Sequence, residues 1–366
     1  MNDTFLKACR REKTDHTPVW FMRQAGRYMK VYQAIRERYS LIEMFKNPDL
    51  SAEITLQPVR AFPLDAAIIF ADILLPLEGM GIGFEFQEKH GPVMTNPLRD
   101  IGDIEALRVA DTDENLGFVL ESLRYVRAEL DGKLPLIGFA GAPFTLAGYA
   151  IEGGSSPNHL QTKQLMYSEP EAWNLLMEKL CDTLIPFLKA QVKAGAQVIQ
   201  LFDSWVGCLD PSDYRRYVLP YSQRIFTALG NEGIPSIHFG TATAGLLPLM
   251  AEAGGDVIGV DWRVSLDTAW RAVGASRGVQ GNLDPVAMFA PVEILKRKAA
   301  EILNEAAGRP GHIFNLGHGL LPSTPEDAVK ALADFVHETS INKGNCLRNC
   351  SLDSCPLQVN AVVYGV

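Results

Sequence analysis

The sequence predicts a (β/α)₈ barrel, a TIM barrel, built as a single domain. Short apolar or β-branched runs recur eight times along the 366 residues, and stretches of helical period lie between them. No linker, composition break or repeat of solenoid length divides the chain. A doubly wound open sheet is the runner-up.

The eight runs are, in order, "TPVWFM" (17–22), "AAIIFAD" (66–72), "PLIGFAG" (135–141), "QVIQLFDS" (197–204), "PSIHFG" (235–240), "DVIGVDW" (256–262), "RGVQGNL" (277–283) and "HIFNLGHG" (312–319). Each is too short for a helix and rich in the residues that pack on a pleated sheet. Helical period appears at 171–196, 243–255 and 291–308, and several of these stretches end in glycine, as a left-handed helix terminus requires. The glycine-rich stretch 79–100 lacks that period and reads as a loop or hairpin after the second strand. The barrel should occupy residues 1–340, leaving 341–366 as an irregular, disordered tail.

A formal net charge of −9 gives no general field for nucleic acid or an anionic membrane surface. The charged N-terminus has no signal-like apolar core, and no segment is long and apolar enough to span a bilayer, so the expected location is the cytoplasm. Cys9, Cys181 and Cys208 stand apart in regular structure, the pattern of reduced intracellular thiols. In the tail, Cys346, Cys350 and Cys355 lack the paired C-x₂-C spacing of structural zinc sites, and no histidine follows them. "GMGIG" (79–83) lacks the spacing and the strand-to-helix setting of a dinucleotide loop.

Barrel active sites sit where strands end, so the polar residues at those points are the candidates. They are Arg23 with Arg27, Asp72, the turn "GAPFT", Ser204 after Asp203, His238, Asp261, Asn282 with Asp284, and His318. Asp261 and Asp284 are explained by helix capping, and His238 by a place in the core; none of the three is assigned a catalytic role. The arginines are harder to explain structurally. "RQAGRY" offers no acid a turn away, whereas guanidinium forks bind carboxylate or phosphate through two parallel hydrogen bonds. Asp72 ends an apolar run, where a carboxylate is costly unless an arginine or a ligand N–H donates to it.

The blocks "MRQAGRYM" (22–29), "PLDAAIIFADIL" (63–74), "PLIGFAGAPFTLAGYAIEGG" (135–154), "QLFDSWVG" (200–207), "GVDW" (259–262), "QGNLDP" (280–285) and "NLGHGLLP" (315–322) closely resemble the uroporphyrinogen decarboxylases of haem biosynthesis. The resemblance runs from about Thr4 to about Ser340. It implies a homodimeric barrel that turns the four acetate arms of uroporphyrinogen III into methyls, giving coproporphyrinogen III without metal or organic cofactor. Matched residue by residue, it implies a catalytic set of Asp72, Arg27 and Arg23 and a substrate-binding set of Arg23, Gln24, Ala25, Gly26, Arg27, Asp72, Tyr149, Ser204 and His318. An octacarboxylate substrate explains why an acidic chain gathers arginines at one place. The identity of the proton donor stays open among Arg27, Arg23, His318 and a water.

The chain departs from the family pattern after the arginine pair, where "MKVYQAIRER" leaves Arg36 without an assigned role, and in the tail. Two other classes compete. Corrinoid or thiol methyltransferases related to this family hold zinc through a H-x-C motif after the fifth strand, but the corresponding stretch here, "HFG" (238–240), has no cysteine. A non-enzymatic tetrapyrrole binder would keep the arginines but would not need Asp72, Tyr149 and His318 together.

Overall fold

The computed structural model describes residues 3–87, 91–130 and 132–341. The expected tail, with Cys346, Cys350 and Cys355, lies outside the described residues apart from Ile341. Strands are numbered β1 (Ala67–Ile68), β2 (Phe84–Gln87), β3 (Gly91–Met94), β4 (Leu136–Gly141), β5 (Val198–Asp203), β6 (Ser236–Gly240), β7 (Val257–Gly259), β8 (Gly278–Gln280) and β9 (His312–Ile313).

Seven of these form one parallel sheet in the order β1-β4-β5-β6-β7-β8-β9, with helices between successive staves. Each stave sits in one of the runs read from the sequence. The run at 17–22 is the exception, because it makes one parallel bridge, Val19 to Phe314, rather than a strand. It still closes the ring. Phe314 N donates to Pro18 O at 2.8 Å on one side, and Asp65 N donates to Val19 O at 2.9 Å on the other. Pro18 has no N–H to give, so the ladder there cannot extend.

The stretch after β1 is a hairpin, with Phe84 opposite Met94 and Gln87 opposite Gly91 in antiparallel register. The helical stretches appear as Pro170–Lys193, Leu247–Ala253 and Val292–Ala306. The last ends on Ala307 at φ 53°, one residue before the glycine that the sequence offers, and Gly308 follows at φ 67°.

Staves β4 and β6 are buried along their whole length, as expected for a sheet covered by helices on its outer face and by its own side chains within. The barrel interior holds a polar chain: Trp20 Nε1 donates to Gln280 Oε1, and Gln280 Nε2 donates to Gln200 Oε1, each at 3.0 Å. These donors and acceptors satisfy one another where water cannot reach. Cys9 and Cys181 are buried free thiols, and Cys208 is partly buried. Among the described residues no helix is long and apolar enough to cross a membrane.

Candidate active site

A cleft of about 480 Å³ opens at the C-terminal ends of the staves. Of the residues nominated from the sequence, Arg23, Ala25, Gly26, Arg27, Asp72, Tyr149, Ser204 and His318 line it. Gln24 does not. Its side chain is fully buried, accepting from Phe21 N at 3.1 Å and donating to Ala66 O at 2.9 Å. It ties the arginine turn to the stave behind.

The segment around the arginines is two turns in succession rather than a helix, with Gln24 N bonded to Phe21 O and Met29 N to Gly26 O. Arg23 adopts φ 60°, a left-handed conformation that costs a non-glycine residue roughly 1–2 kcal/mol. The buried Gln24 bonds hold it there. Both guanidiniums then reach the same cleft. Gly319, on the facing loop, lies under the Arg23 side chain: a Cβ at 319 would come within 2.5 Å of Arg23 Cδ. Gly317 is equally confined, since a Cβ there would lie 2.5 Å from Trp262 N. The glycines on either side of His318 therefore permit close approach, one to the arginine and one to the backbone that follows β7.

Asp72 follows β1 and is aimed by Leu74 N, which donates to its Oδ1 at 2.9 Å. The end of that stave is anchored from the helix Pro48–Ala61, where Thr55 Oγ1 accepts from Phe70 N and Ser51 Oγ donates to Phe70 O. Burial pushes the Asp72 carboxyl above the ordinary range, while the Leu74 N–H and the Arg23 charge hold it down. Burial and the Arg27 charge in turn push Arg23 below the usual guanidinium range, with Asp72 and Tyr149 opposing. These four residues form one electrostatic group. Arg23 keeps its solvent access through the open cleft, and the protein crowding around its head accounts for the desolvation.

Tyr149 sits on the helix Pro143–Glu152, which follows β4, and its ring meets Trp205 edge-on at 5.6 Å. Trp205 N donates to Thr145 Oγ1, which donates to the buried Asp203. The "GAPFT" turn thus braces Ser204, whose carbonyl also accepts from Thr241 Oγ1 at 2.6 Å. Burial, followed by the Arg23 and Arg263 charges, pushes His318 down to about 4, so it is a neutral imidazole at neutral pH. It offers one donor nitrogen, one acceptor nitrogen and no charge.

The residues without an assigned catalytic role lie elsewhere. His238 is fully buried, with Nδ1 3.3 Å from Met250 O and its ring 4.9 Å from that of Phe226, in the helix layer. Asp261 accepts from Ala242 N and pairs with Arg263, and Asp284 accepts from Val286 N at the start of a short helical turn. Arg36 donates to Tyr39 O and is not part of the cleft wall. Sequence reasoning missed the aromatic wall of Phe139, Phe202 and Phe239, one ring from each of β4, β5 and β6. The two-residue strand period carried that signal, because alternate positions face the barrel axis.

Residues 1–339 match the family model described as Uroporphyrinogen decarboxylase (URO-D). The chain is 59% identical over 340 residues to the uroporphyrinogen decarboxylase of Carboxydothermus hydrogenoformans, covering 93% of this chain and 97% of that protein. It is 58% identical over 337 residues to that of Sorangium cellulosum, covering 92% and 96%. Among solved structures, a methyltransferase from Methanosarcina mazei superposes with a TM-score of 0.79 at 21% identity, covering 92% of this chain and 98% of that one. That likeness concerns the fold alone.

Proposed function

This chain belongs to the uroporphyrinogen decarboxylase family, and from that premise we propose how its cleft performs the decarboxylation of uroporphyrinogen in haem biosynthesis. The reaction converts the four acetate arms to methyls and yields coproporphyrinogen. The observation that carries this assignment of roles is the coupled group of Arg23, Arg27, Asp72 and Tyr149 at one cleft wall.

Direct loss of carbon dioxide from a pyrrole acetate would leave a carbanion without an electron sink. Protonation of the adjacent ring carbon first makes an iminium-like ring; the electrons of the breaking C–C bond then flow into it, carbon dioxide leaves, and an exocyclic methylene remains. A proton added to that methylene, with loss of the ring proton, gives the methyl. Asp72 is the fixed anion facing the ring N–H groups, and it stabilises the positive charge as it develops. Arg23 and Arg27 hold the acetate and propionate carboxylates by bidentate hydrogen bonds. Tyr149, Ser204 and neutral His318 complete the polar rim, and the aromatic wall receives the macrocycle face.

The direct test is anaerobic incubation with enzymatically made uroporphyrinogen, followed by chromatography of products by carboxylate number. Folded protein that yields no product with fewer than eight carboxylates would overturn the reading. Activity is expected to survive exhaustive chelation, because the protonated ring is its own electron sink. Loss on chelation with recovery on zinc would favour methyltransferase-like chemistry instead.

A cytoplasmic homodimer completes the proposal. Val286, Phe289 and Val292 are 63%, 43% and 42% exposed on the segment that follows β8, an apolar face that pairing would cover. Sedimentation velocity should give a dimer, and Phe289→Asp should shift it towards monomer; a wild-type monomer at micromolar concentration would refute this part.

A further inference from the structure

Three side chains unused by the reaction meet at the opposite end of the barrel, where staves begin. Asp65, 1% exposed, lies just ahead of β1. His16 comes from the segment ahead of the bridging residue Val19, and His337 from the helix Glu326–Ser340. His16 Nε2 is 3.1 Å from Asp65 Oδ1, and His337 Nε2 is 2.7 Å from Asp65 Oδ2. The two rings stand 4.4 Å apart between centroids, and the ligand atoms of all three residues lie within 4.8 Å of one another. Among the described residues this is the one group of three His, Cys, Asp or Glu side chains that brings its ligand atoms so close.

Two imidazole nitrogens and a carboxylate oxygen are the donor set that borderline divalent ions prefer. Two ligands on one such ion, each bonded at about 2.0–2.1 Å, stand about 3.3 Å apart at a tetrahedral angle. The His16 separation of 3.1 Å is close to that, and His337, at 2.7 Å from the other carboxylate oxygen, would have to draw back by about 0.6 Å to share an ion. The carboxylate is the fixed member, held also by Val19 N, which donates to Oδ2 at 2.8 Å. The histidine side chains keep 20% exposure each and supply the movement needed to close around an ion. His16 also borders an open groove of about 240 Å³, lined as well by Asp15 and Ser340, through which a hydrated ion can reach the trio.

We propose that His16, Asp65 and His337 form a binding site for a divalent transition-metal ion of the zinc class, remote from the cleft. Its role is to fasten the barrel's seam. The ion would join the segment that leads into the arginine turn to the last described helix, across the stave that makes only one bridge. Without metal the same trio is a hydrogen-bonded clasp. The sites of metal and of decarboxylation are at opposite ends of the staves, so occupancy should change stability and leave turnover alone.

The test uses the full chain carrying Cys346→Ser, Cys350→Ser and Cys355→Ser, so that tail thiolates cannot be the ligands. After chelation and buffer exchange, Co²⁺ is titrated in and the visible bands of nitrogen and oxygen ligation are followed. The expected result is saturation at one equivalent, without the ultraviolet charge-transfer band of a thiolate, and displacement by Zn²⁺. The melting temperature should rise with metal and fall back on chelation at constant kcat. His16→Asn and His337→Asn should each weaken binding by at least about tenfold. Failure of the cysteine-free chain to bind saturably would overturn the proposal, as would unchanged affinity in a folded histidine variant. If both histidine variants fail to fold, the cobalt titration of the cysteine-free chain still decides it.

Discussion

Replacing Asp72 by Asn is expected to lower kcat by about 10²–10³-fold, the range seen when one preorganised charge-stabilising group is removed from an active site. The substitution keeps the side-chain shape and one oxygen for Leu74 N to donate to, so the loop after β1 should hold its course. It removes the negative charge opposite the ring at the moment the ring becomes cationic. Substrate affinity should fall much less, because the carboxylates of the macrocycle are held by arginines. Stability should move the other way. Burial raises the Asp72 carboxyl in the folded protein, so the folded state holds its proton more tightly than the unfolded chain does. Between the ordinary carboxylate pKa and that raised value, the Asp72 contribution to stability falls as pH rises, and the cost persists at neutral pH. The Asn variant escapes it. Its melting temperature should equal or exceed that of wild type at pH 7, with the gap narrowing as pH drops below the ordinary carboxylate range. Steady-state kinetics and melting curves across pH measure both halves. Wild-type turnover in the variant would remove Asp72 from the mechanism.

The opposition between activity and stability at Asp72 bears on what the sequence could reveal. A carboxylate at the end of an apolar strand breaks the local pattern, and such breaks are visible in a sequence because folding alone does not favour them. The arginine pair and the eight runs were legible for related reasons, unpaired charge in one case and period in the other. What escaped depends on the direction of side chains and on distant partners. Gln24 lies between two cleft residues in "RQAGR", yet a single left-handed residue before it turns it inward. The strand at 17–22 has the right composition, but Pro18 deprives it of a donor, and only the fold shows how few bonds then close the ring. The clasp on Asp65 draws on partners 49 and 272 residues away, separations that no motif spans. The glycines beside His318 were part of a recognised block, but which group each must admit is a fact of three dimensions.

Arg23→Lys should cost about 10–100-fold in kcat/KM, the loss expected when a charge-assisted hydrogen-bond pair to a carboxylate is reduced to a single ammonium contact. The charge survives; the fork does not. Arg23 should be the more sensitive of the two arginines, because its backbone is fixed at φ 60° by the buried Gln24 and its stem is seated against Gly319, whereas Arg27 stands in the more open turn. Arg27→Lys is therefore expected to weaken affinity by a smaller factor and to allow partly decarboxylated intermediates to accumulate as the grip on the macrocycle loosens. Gly319→Ala separates the position of Arg23 from its chemistry. The added methyl cannot sit 2.5 Å from Arg23 Cδ, so the guanidinium must move while keeping its charge and both prongs. If the arginine acts by geometry, Gly319→Ala should raise KM towards the value for Arg23→Lys, with little loss of melting temperature because the displaced group is a flexible side chain beside an open cleft. If Arg23 is also the route of the proton, kcat should fall in both variants, and a solvent isotope effect on kcat should grow as proton delivery becomes slower. Product distributions, kcat and KM for the three variants decide between these roles. Unchanged kinetics in Arg23→Lys and Gly319→Ala alike would reduce the arginine to a support for its loop.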